Sequence, residues 1–290
     1  MSNVCAGTTD ADRIEAAGVV GAGGAGFPTH IKARGAADVV IANGVECEPV
    51  LAKDKAVMRA RPGDVAYGLA VMMGCVGASR GVIAVKRKNS REVDAMKAAA
   101  RGYADVAVAE VGDYYPAGDE HVLVYELTGR VVPAGGIPLQ AGAVVSNVET
   151  LLNVANAVRD GASVTHKYVT VAGEVKRPGT FRALVGASLA QLIEAAGGVR
   201  ESLGGRLGVL LDGPMMGKAL PPGQDLAAVP VTKTMSGVIL LPSGHPLLAG
   251  RSKSMEHQVR LARSACVQCT HCTDLCPRRL LGHPLRPHLI

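Results

Sequence analysis

The chain has 290 residues, a formal net charge of +6 and 48% hydrophobic residues, with 36 Gly, no Trp, 2 Phe and 6 Tyr. That length supports two or three domains with sizeable cores. No apolar run reaches the roughly 18 residues of a membrane helix, and residues 1–13 carry no basic-then-apolar leader, so the expectation is a cytoplasmic protein with reduced thiols.

In chain order, Asp10 to Ala17 reads as a short helix with Asp10 as its N-cap. A glycine-rich stretch from Gly21 to Thr29 follows, then an apolar strand from Ala37 to Ala42. Lys55 to Met73 reads as mostly helical, interrupted at Pro62-Gly63. Next come a buried strand at Gly81 to Val85, a helix at Ser90 to Ala100 and a strand at Asp105 to Val111. Helices recur at Glu120 to Leu127 and Val148 to Val158. Strands alternating with helices predict an α/β layer of mostly parallel strands. Around Gly161 the character changes. Lys167 to Val175 alternates as a strand, Arg177-Pro178-Gly179-Thr180 turns, and Phe181 to Val185 returns. Ser188 to Ala196 is a helix ended by Gly197-Gly198, and Leu207 to Leu211 and Gly237 to Leu241 are further strands. This order predicts a compact β-grasp module. Ser254 to Arg263 is a helix that leads into the cysteines.

Five short clusters carry chemistry. Gly21, Gly23 and Gly26 fit G-x-G-x-x-G by letters, but a dinucleotide fingerprint must follow a strand and open a helix. Here Val19-Val20 follow a helix, and Pro28 comes after the loop. What remains is physical: glycines let backbone N–H groups approach a phosphate, with a flexible turn as the alternative. Asn43-Gly44-Val45-Glu46-Cys47-Glu48-Pro49 sits just past a strand, where open α/β sheets place ligands; a solvated turn would look the same. Tyr115-Pro116-Ala117-Gly118-Asp119-Glu120 is a third cluster, and Ser146-Asn147-Val148-Glu149-Thr150 a fourth, which also suits a plain helix N-terminus. The fifth is Cys266, Cys269, Cys272 and Cys276 followed by Pro277, the C-x2-C-x2-C-x3-C-P thiolate run of ferredoxin-type [4Fe–4S] sites. A zinc knuckle is the alternative, although zinc sites usually pair two C-x2-C knuckles across a longer gap. In two-cluster ferredoxins the fourth cysteine ligates the other cluster, and Cys5, Cys47 and Cys75 form no second run. Residues 251–290 hold seven basic and two acidic residues, a surplus that offsets an anionic cluster or docks an acidic partner rather than nucleic acid.

In this order, these clusters resemble the flavoprotein subunit of respiratory complex I and its relatives, RnfC and the PduS-type cobalamin reductases of bacterial microcompartments. That family shares a G-x-G-G-A-G-F-P-T loop, an N-A-D-E-S-E-P turn, a Y-x-x-G-E-E turn and an N-V-E-T-L helix start. The resemblance implies an α/β chain: a Rossmann-like FMN- and NADH-binding domain over residues 1–162, a β-grasp (SLBB) domain with flanking strands over 163–250, and a ferredoxin-like [4Fe–4S] segment over 251–290. It implies that Gly21, Gly23, Gly24 and Gly26 cradle the FMN phosphate, with Lys32 as a cation. Asn43 and Glu46 would hydrogen-bond the isoalloxazine and ribityl groups; Tyr115 and Gly118 would line the flavin; Asn147 and Thr150 would meet its ribityl-phosphate end. Phe27 would lie beside adenine, and Glu48 and Glu120 near the nicotinamide nucleotide. Asp119 stands where the family's cofactor-binding turn has a longer glutamate, and Val45 replaces an acidic flavin-binding residue. The residues that grip NADH in complex I have no equivalent in Val131 to Gly142, so the FMN site carries over more completely than the NAD(H) site. Cys266, Cys269, Cys272 and Cys276 would hold the cluster, Cys47 would serve packing, and no metal falls to the 8 His.

The implied function is an oxidoreductase passing electrons from NADH through FMN and [4Fe–4S] to a corrinoid. The alternative is an RnfC-like electron-relay or docking subunit. Implied partners are a corrinoid adenosyltransferase and a microcompartment shell protein, with a location inside a microcompartment. PduS-type proteins carry a second cysteine run, and the chain reads as truncated before it.

Overall fold

A computed structural model describes residues 7–201, 207–251 and 253–290; Cys5 lies outside them. Helices α1 (Asp10–Ala16) and α2 (Thr29–Ala33) flank the glycine loop. The cap of α1 is Thr9, not Asp10: its hydroxyl accepts from Asp12 N and the Asp12 carboxylate reaches back, a reciprocal box that Asp10 is one residue too late to form.

The first sheet contains β1 (Val39–Gly44), β2 (Arg80–Lys86), β3 (Val106–Val111) and β4 (Ala143–Asn147). Its order is β3-β2-β1-β4 and every pairing is parallel. Between the strands run α3 (Lys53–Ala60), α4 (Pro62–Val76), α5 (Ser90–Ala100), α6 (Glu120–Thr128) and, after β4, α7 (Val148–Asp160). Alternate residues of one strand feed two cores. Val40, Ala42, Ile83, Val85 and Val144 pack with Leu69, Met72 and Leu151 of α4 and α7. Val39, Ile41, Val82, Ala84 and Val145 pack with Leu123 and Val124 of α6. A parallel sheet covered on both faces must be apolar on both, which is why these strands read as continuous Val/Ile/Ala runs.

The helical span expected over Lys55 to Met73, interrupted at Pro62-Gly63, is two helices that meet at Arg61-Pro62. Pro62 occupies the first turn of α4, where its missing N–H costs nothing. Several elements have no counterpart among the sequence expectations, among them α2, α9 (Pro246–Arg251), the sheet strand β4 and the short elements at Lys218–Ala219, His271–Asp274 and Pro277–Leu280. Strand β4 runs into α7 without a turn, because Asn147 is both its last residue and the N-cap of the helix.

The second sheet has the order β6-β5-β9-β7-β8, from β5 (His166–Gly173), β6 (Gly179–Leu184), β7 (Leu207–Leu211), β8 (Lys218–Ala219) and β9 (Gly237–Pro242). Strands β5 and β9 are parallel, and the remaining pairs are antiparallel. Helix α8 (Leu189–Ala195) covers one face through Leu189, Leu192 and Ile193. Leu248 of α9 covers part of the other. The chain then forms α10 (Met255–Ala265), α11 (His271–Asp274) and α12 (Pro277–Leu280), which frame the cysteines. No helix among the described residues is long and apolar enough to cross a membrane.

Candidate functional site

In the order β3-β2-β1-β4 the chain leaves β1 on one side and returns by β4 on the other, so a crevice opens beyond their C-terminal ends. A cavity of about 960 Å³ lies there. The glycine loop, the turn after β1, the Tyr115 turn and the start of α7 line it, and so do Asp212, Lys218, Thr234 and Ser236 of the second sheet region. Of the residues singled out in the sequence, Gly21, Gly23, Gly24, Phe27, Lys32, Asn43, Glu46, Glu48, Tyr115, Gly118, Asp119, Glu120, Asn147 and Thr150 face this cavity. Gly26 does not. Its N–H closes the loop onto Gly21 O at 3.2 Å, and its positive φ of 66° brings it against Thr234.

The glycine loop is held at both ends and open in the middle. Gly21 N donates to Phe27 O at 2.9 Å, and Ala22 N donates to Thr150 Oγ1 at 2.9 Å. Lys167 Nζ, from the second sheet, donates to Ala22 O at 2.9 Å. Among the described residues the N–H groups of Gly23, Gly24 and Ala25 have no acceptor within the chain. Three adjacent free donors on a cavity wall suit a phosphate. Gly24 has a φ of 120°, so a side chain at that position would be strained.

The turn after β1 supplies the most perturbed group. Glu46 Oε1 accepts from Asp54 N at 3.3 Å, while Oε2 is buried with no partner. Burial, reinforced by the neighbouring Asp54 charge, raises its pKa from 4.5 to about 7. Ser146 Oγ, at the end of β4, is likewise buried and unpartnered. Two orphaned polar atoms in one apolar-walled cavity are a place for a ligand's polar edge, and an isoalloxazine ring has such an edge.

Several expected contacts are occupied differently. The Asn43 amide is satisfied at both ends, donating to Gly118 O at 2.8 Å and accepting from Val45 N at 3.1 Å, so it ties β1 to the Tyr115 turn. Glu48 Oε1 accepts from Met215 N at 2.6 Å and Met216 N at 3.3 Å, which fastens the turn between β7 and β8 to the cavity wall. Tyr115 has its hydroxyl pKa raised by burial and by the Glu48 charge. Asp119 caps α6 through His121 N and Val122 N, and also pairs with Arg278. Lys32 Nζ donates to Val145 O at 2.6 Å, lies 3.7 Å from Glu120 and stands 5.5 Å over the Phe27 ring. Asn147 accepts from Glu149 N at 3.0 Å as the cap of α7, and its Nδ2 donates to Asp54 Oδ2 at 2.8 Å. Cys47 Sγ accepts from Gly118 N at 3.0 Å.

Behind the cavity lies a buried charge network that local sequence patterns do not announce. Lys53 Nζ reaches Asp54 Oδ1 at 2.6 Å and Glu149 Oε2 at 3.3 Å. Glu149 also accepts from Tyr168 N at 2.8 Å and pairs with Lys167. Burial alone would lower the pKa of Lys53, but Asp54 and Glu149 reverse that and hold it above its ordinary value. Burial and the Lys53 charge bring Lys167 down to about 8.

The four cysteines of the run span eleven residues, as the C-terminal cap of α10 (Cys266), just before α11 (Cys269), within it (Cys272) and as the N-terminal cap of α12 (Cys276). Their thiols are free, and Cys266, Cys269 and Cys272 are exposed. Gln268 and Thr270 adopt φ of 56° and 63°, so the loop curls tightly. Among the described residues no three His, Cys, Asp or Glu side chains converge closely enough to hold a metal ion. The donor set itself, four thiols with C-x2-C-x2-C-x3-C-P spacing, suits a [4Fe–4S] cluster. Two of the seven basic residues expected to face the cluster or a partner are instead internal struts. Arg278 pairs with Asp119, and Arg251 donates to the Pro214, Met215 and Gly217 carbonyls.

Comparison with known proteins agrees with this architecture. The Nuo51 FMN-binding domain matches residues 14–156, and the SLBB domain matches residues 168–219. The chain is 40% identical over 279 residues to the cobalamin reductase PduS of Salmonella typhimurium, covering 96% of this chain and 60% of that protein. It is 33% identical over 280 residues to a subunit of the Na(+)-translocating ferredoxin:NAD(+) oxidoreductase complex of Acetobacterium woodii, covering 93% and 59% of the two. An air-oxidized NAD+-reducing [NiFe]-hydrogenase contains a chain that superposes with a TM-score of 0.69 at 25% identity, covering 81% of this chain and 47% of that one. The chain thus spans about three fifths of the length of the curated relatives it matches. It carries a Nuo51-type FMN-binding domain followed by an SLBB domain, each on its own sheet, and is similar along nearly its whole length to PduS and to subunits of ion-translocating oxidoreductase complexes.

Proposed function

We propose that this chain is the flavin- and cluster-bearing part of an NADH-dependent oxidoreductase that delivers electrons to a corrinoid. The observation that carries the reading is the cavity at the β1/β4 crevice, which joins free loop N–H donors to a buried, unpartnered carboxyl oxygen of Glu46. The corrinoid rests on the likeness to PduS. A corrinoid adenosyltransferase, a microcompartment shell protein and a location inside such a compartment belong to the same proposal.

When bound, FMN accepts an electron pair as hydride and the [4Fe–4S] cluster accepts electrons singly. The protein's part is to bind, orient and exclude water. Gly23, Gly24 and Ala25 present their N–H groups to the FMN phosphate, with Gly21 and Gly26 shaping the loop and Lys32 adding charge at its mouth. Glu46 and Ser146, each with a buried unpartnered oxygen, would meet the polar edge of the ring. With its pKa near 7, Glu46 is able to hold a proton there at neutral pH. Asn43, Tyr115, Gly118, Asn147 and Thr150 line the wall of the cavity that would hold the flavin. Phe27, Glu48 and Glu120 line the part of the cavity that would admit the nicotinamide nucleotide. Lys218, which sequence reasoning missed, faces the same cavity from the second sheet. The four thiols of Cys266, Cys269, Cys272 and Cys276 would hold the cluster.

Anaerobic reconstitution with flavin, iron and sulfide tests this. Acid-released flavin is expected to comigrate with FMN, and NADH is expected to bleach it and then reduce cob(III)alamin. Release of FAD alone, or no bleaching by NADH, would contradict the reading. Bleaching without reduction of the corrinoid would favour the RnfC-like relay reading, supported by the likeness to a subunit of the Acetobacterium woodii oxidoreductase complex.

A further inference from the structure

Among the described residues, the cysteine segment is largely exposed. Helix α10 buries no residue, and Cys266, Cys269 and Cys272 are exposed. Thr273 is buried, but its hydrogen bonds go to His288 within the same segment. Among the described residues, the side-chain hydrogen bonds from this segment to the flavin domain come from Arg278 and His283. Arg278, in α12 and two positions after Cys276, meets both oxygens of Asp119 at 2.9 and 2.8 Å. A planar guanidinium fork matched to both carboxylate oxygens fixes direction as well as distance, which a lysine could not do. His283 is 6% exposed, shares a hydrogen bond of 2.8 Å with Val132 O and meets the His121 ring edge-on, with centroids 5.6 Å apart. Leu281, between Arg278 and His283 in the sequence, is buried.

The receiving residue is placed where docking would matter. Asp119 faces the flavin cavity, caps α6 and lies between Gly118 and Glu120, which also line that cavity. Arg278 therefore links the last cysteine of the run to the cavity rim through one side-chain pair.

We propose that the Arg278–Asp119 pair is the clasp that docks the cysteine segment on the rim of the flavin cavity and sets the separation between cluster and flavin; the second part rests on the flavin-and-cluster reading above. Arg278 and Asp119 are positioning residues and neither exchanges electrons. Their effect comes from rigidity. A loop held by one bidentate pair and one histidine sits at one distance from the cavity, and without the pair it samples many.

The test uses Arg278→Gln, Asp119→Asn and the double variant. Asparagine is a good N-cap, so Asp119→Asn removes the ion pair while keeping α6 capped. On the cofactor-free chain, amide exchange across residues 277–285 is expected to quicken about fivefold in each single variant. The double variant should be no faster, because both changes remove one interaction. Exchange in α5, remote from the clasp, should not move. On the reconstituted Arg278→Gln protein, whose changed residue does not line the flavin cavity, FMN and iron contents should match the parent. The first electron transfer, in which the reduced flavin loses one electron and the cluster gains it, should slow about fivefold or more by freeze-quench EPR. Unchanged exchange would overturn the docking role. Faster exchange with an unchanged transfer rate would overturn the distance-setting role. A parent chain that takes up no FMN or no iron would overturn the flavin-and-cluster reading instead, with the exchange measurement still deciding the clasp.

Discussion

Glu46 combines a hydrogen bond to the Asp54 amide with an oxygen that nothing in the chain satisfies. Its proton is held in the folded state up to about pH 7, whereas the unfolded carboxyl releases it near 4.5. Between those values the folded state binds more protons than the unfolded one, so stability falls as pH rises through this window. The flavin-free chain should therefore lose about 1–2 kcal/mol between pH 5 and pH 7 from this group, after allowance for its partial exposure. Glu46→Gln should flatten that slope in urea titrations at each pH. An identical slope in the variant would show that another group titrates. The acidic turn Glu46-Cys47-Glu48 marks a candidate site from sequence, but it does not distinguish its two carboxylates. One keeps an unpartnered oxygen in the cavity, while the other is fastened to Met215 and Met216, 167 and 168 residues away. Asp119 is similar: its cap role is readable from its place before α6, and its partner Arg278, 159 residues on, is not.

Among the elements, α4 and α7 cross closely at Gly68. A Cβ there would come within 2.0 Å of the Leu151 carbonyl oxygen, which no side-chain adjustment relieves. Elsewhere in a helix, replacing glycine by alanine gains roughly 1 kcal/mol. At this crossing the sign should reverse, with Gly68→Ala costing about 1–3 kcal/mol by overpacking. Equal or higher stability of the variant in thermal unfolding would mean that the two helices separate without penalty. Strand periods and helix caps carried most element boundaries: Ser90 to Ala100 and Leu207 to Leu211 fall on the observed limits. What escaped were elements without local punctuation. Strand β4 passes into α7 through Asn147 with no glycine or proline between them, so its apolar run joins the helix that follows. The helical span from Lys55 to Met73 divides at Arg61-Pro62 because proline opens a helix more readily than it interrupts one.

At the scale of the molecule, the two sheets meet through charge as well as apolar contact. Lys167 starts in β5, on the second sheet, and is 1% exposed on its side chain. Its ammonium lies between Glu149 at the start of α7 and the Ala22 carbonyl of the glycine loop. Lys233 repeats the arrangement nearby, donating to Gly18 O at 2.6 Å, and Thr170 Oγ1 accepts from Ala52 N at 3.0 Å. The sequence of β5 shows only an alternating strand, in which Lys167 would pass for a solvent-facing residue. Only the closure of one sheet upon the other turns it inward. Glu149 retains Lys53 and Tyr168 N when Lys167 is lost, so Lys167→Met should cost about 3 kcal/mol, the low end for breaking a buried pair. Methionine keeps the stem's volume, which separates loss of charge from loss of packing. Because the Ala22 carbonyl is released as well, the glycine loop should loosen and FMN should bind about tenfold more weakly by fluorescence titration. The second-sheet region should also begin to unfold at lower urea than the first. A single unshifted transition with parent-like FMN affinity would show that apolar contacts alone join the domains and that the loop needs no support from behind.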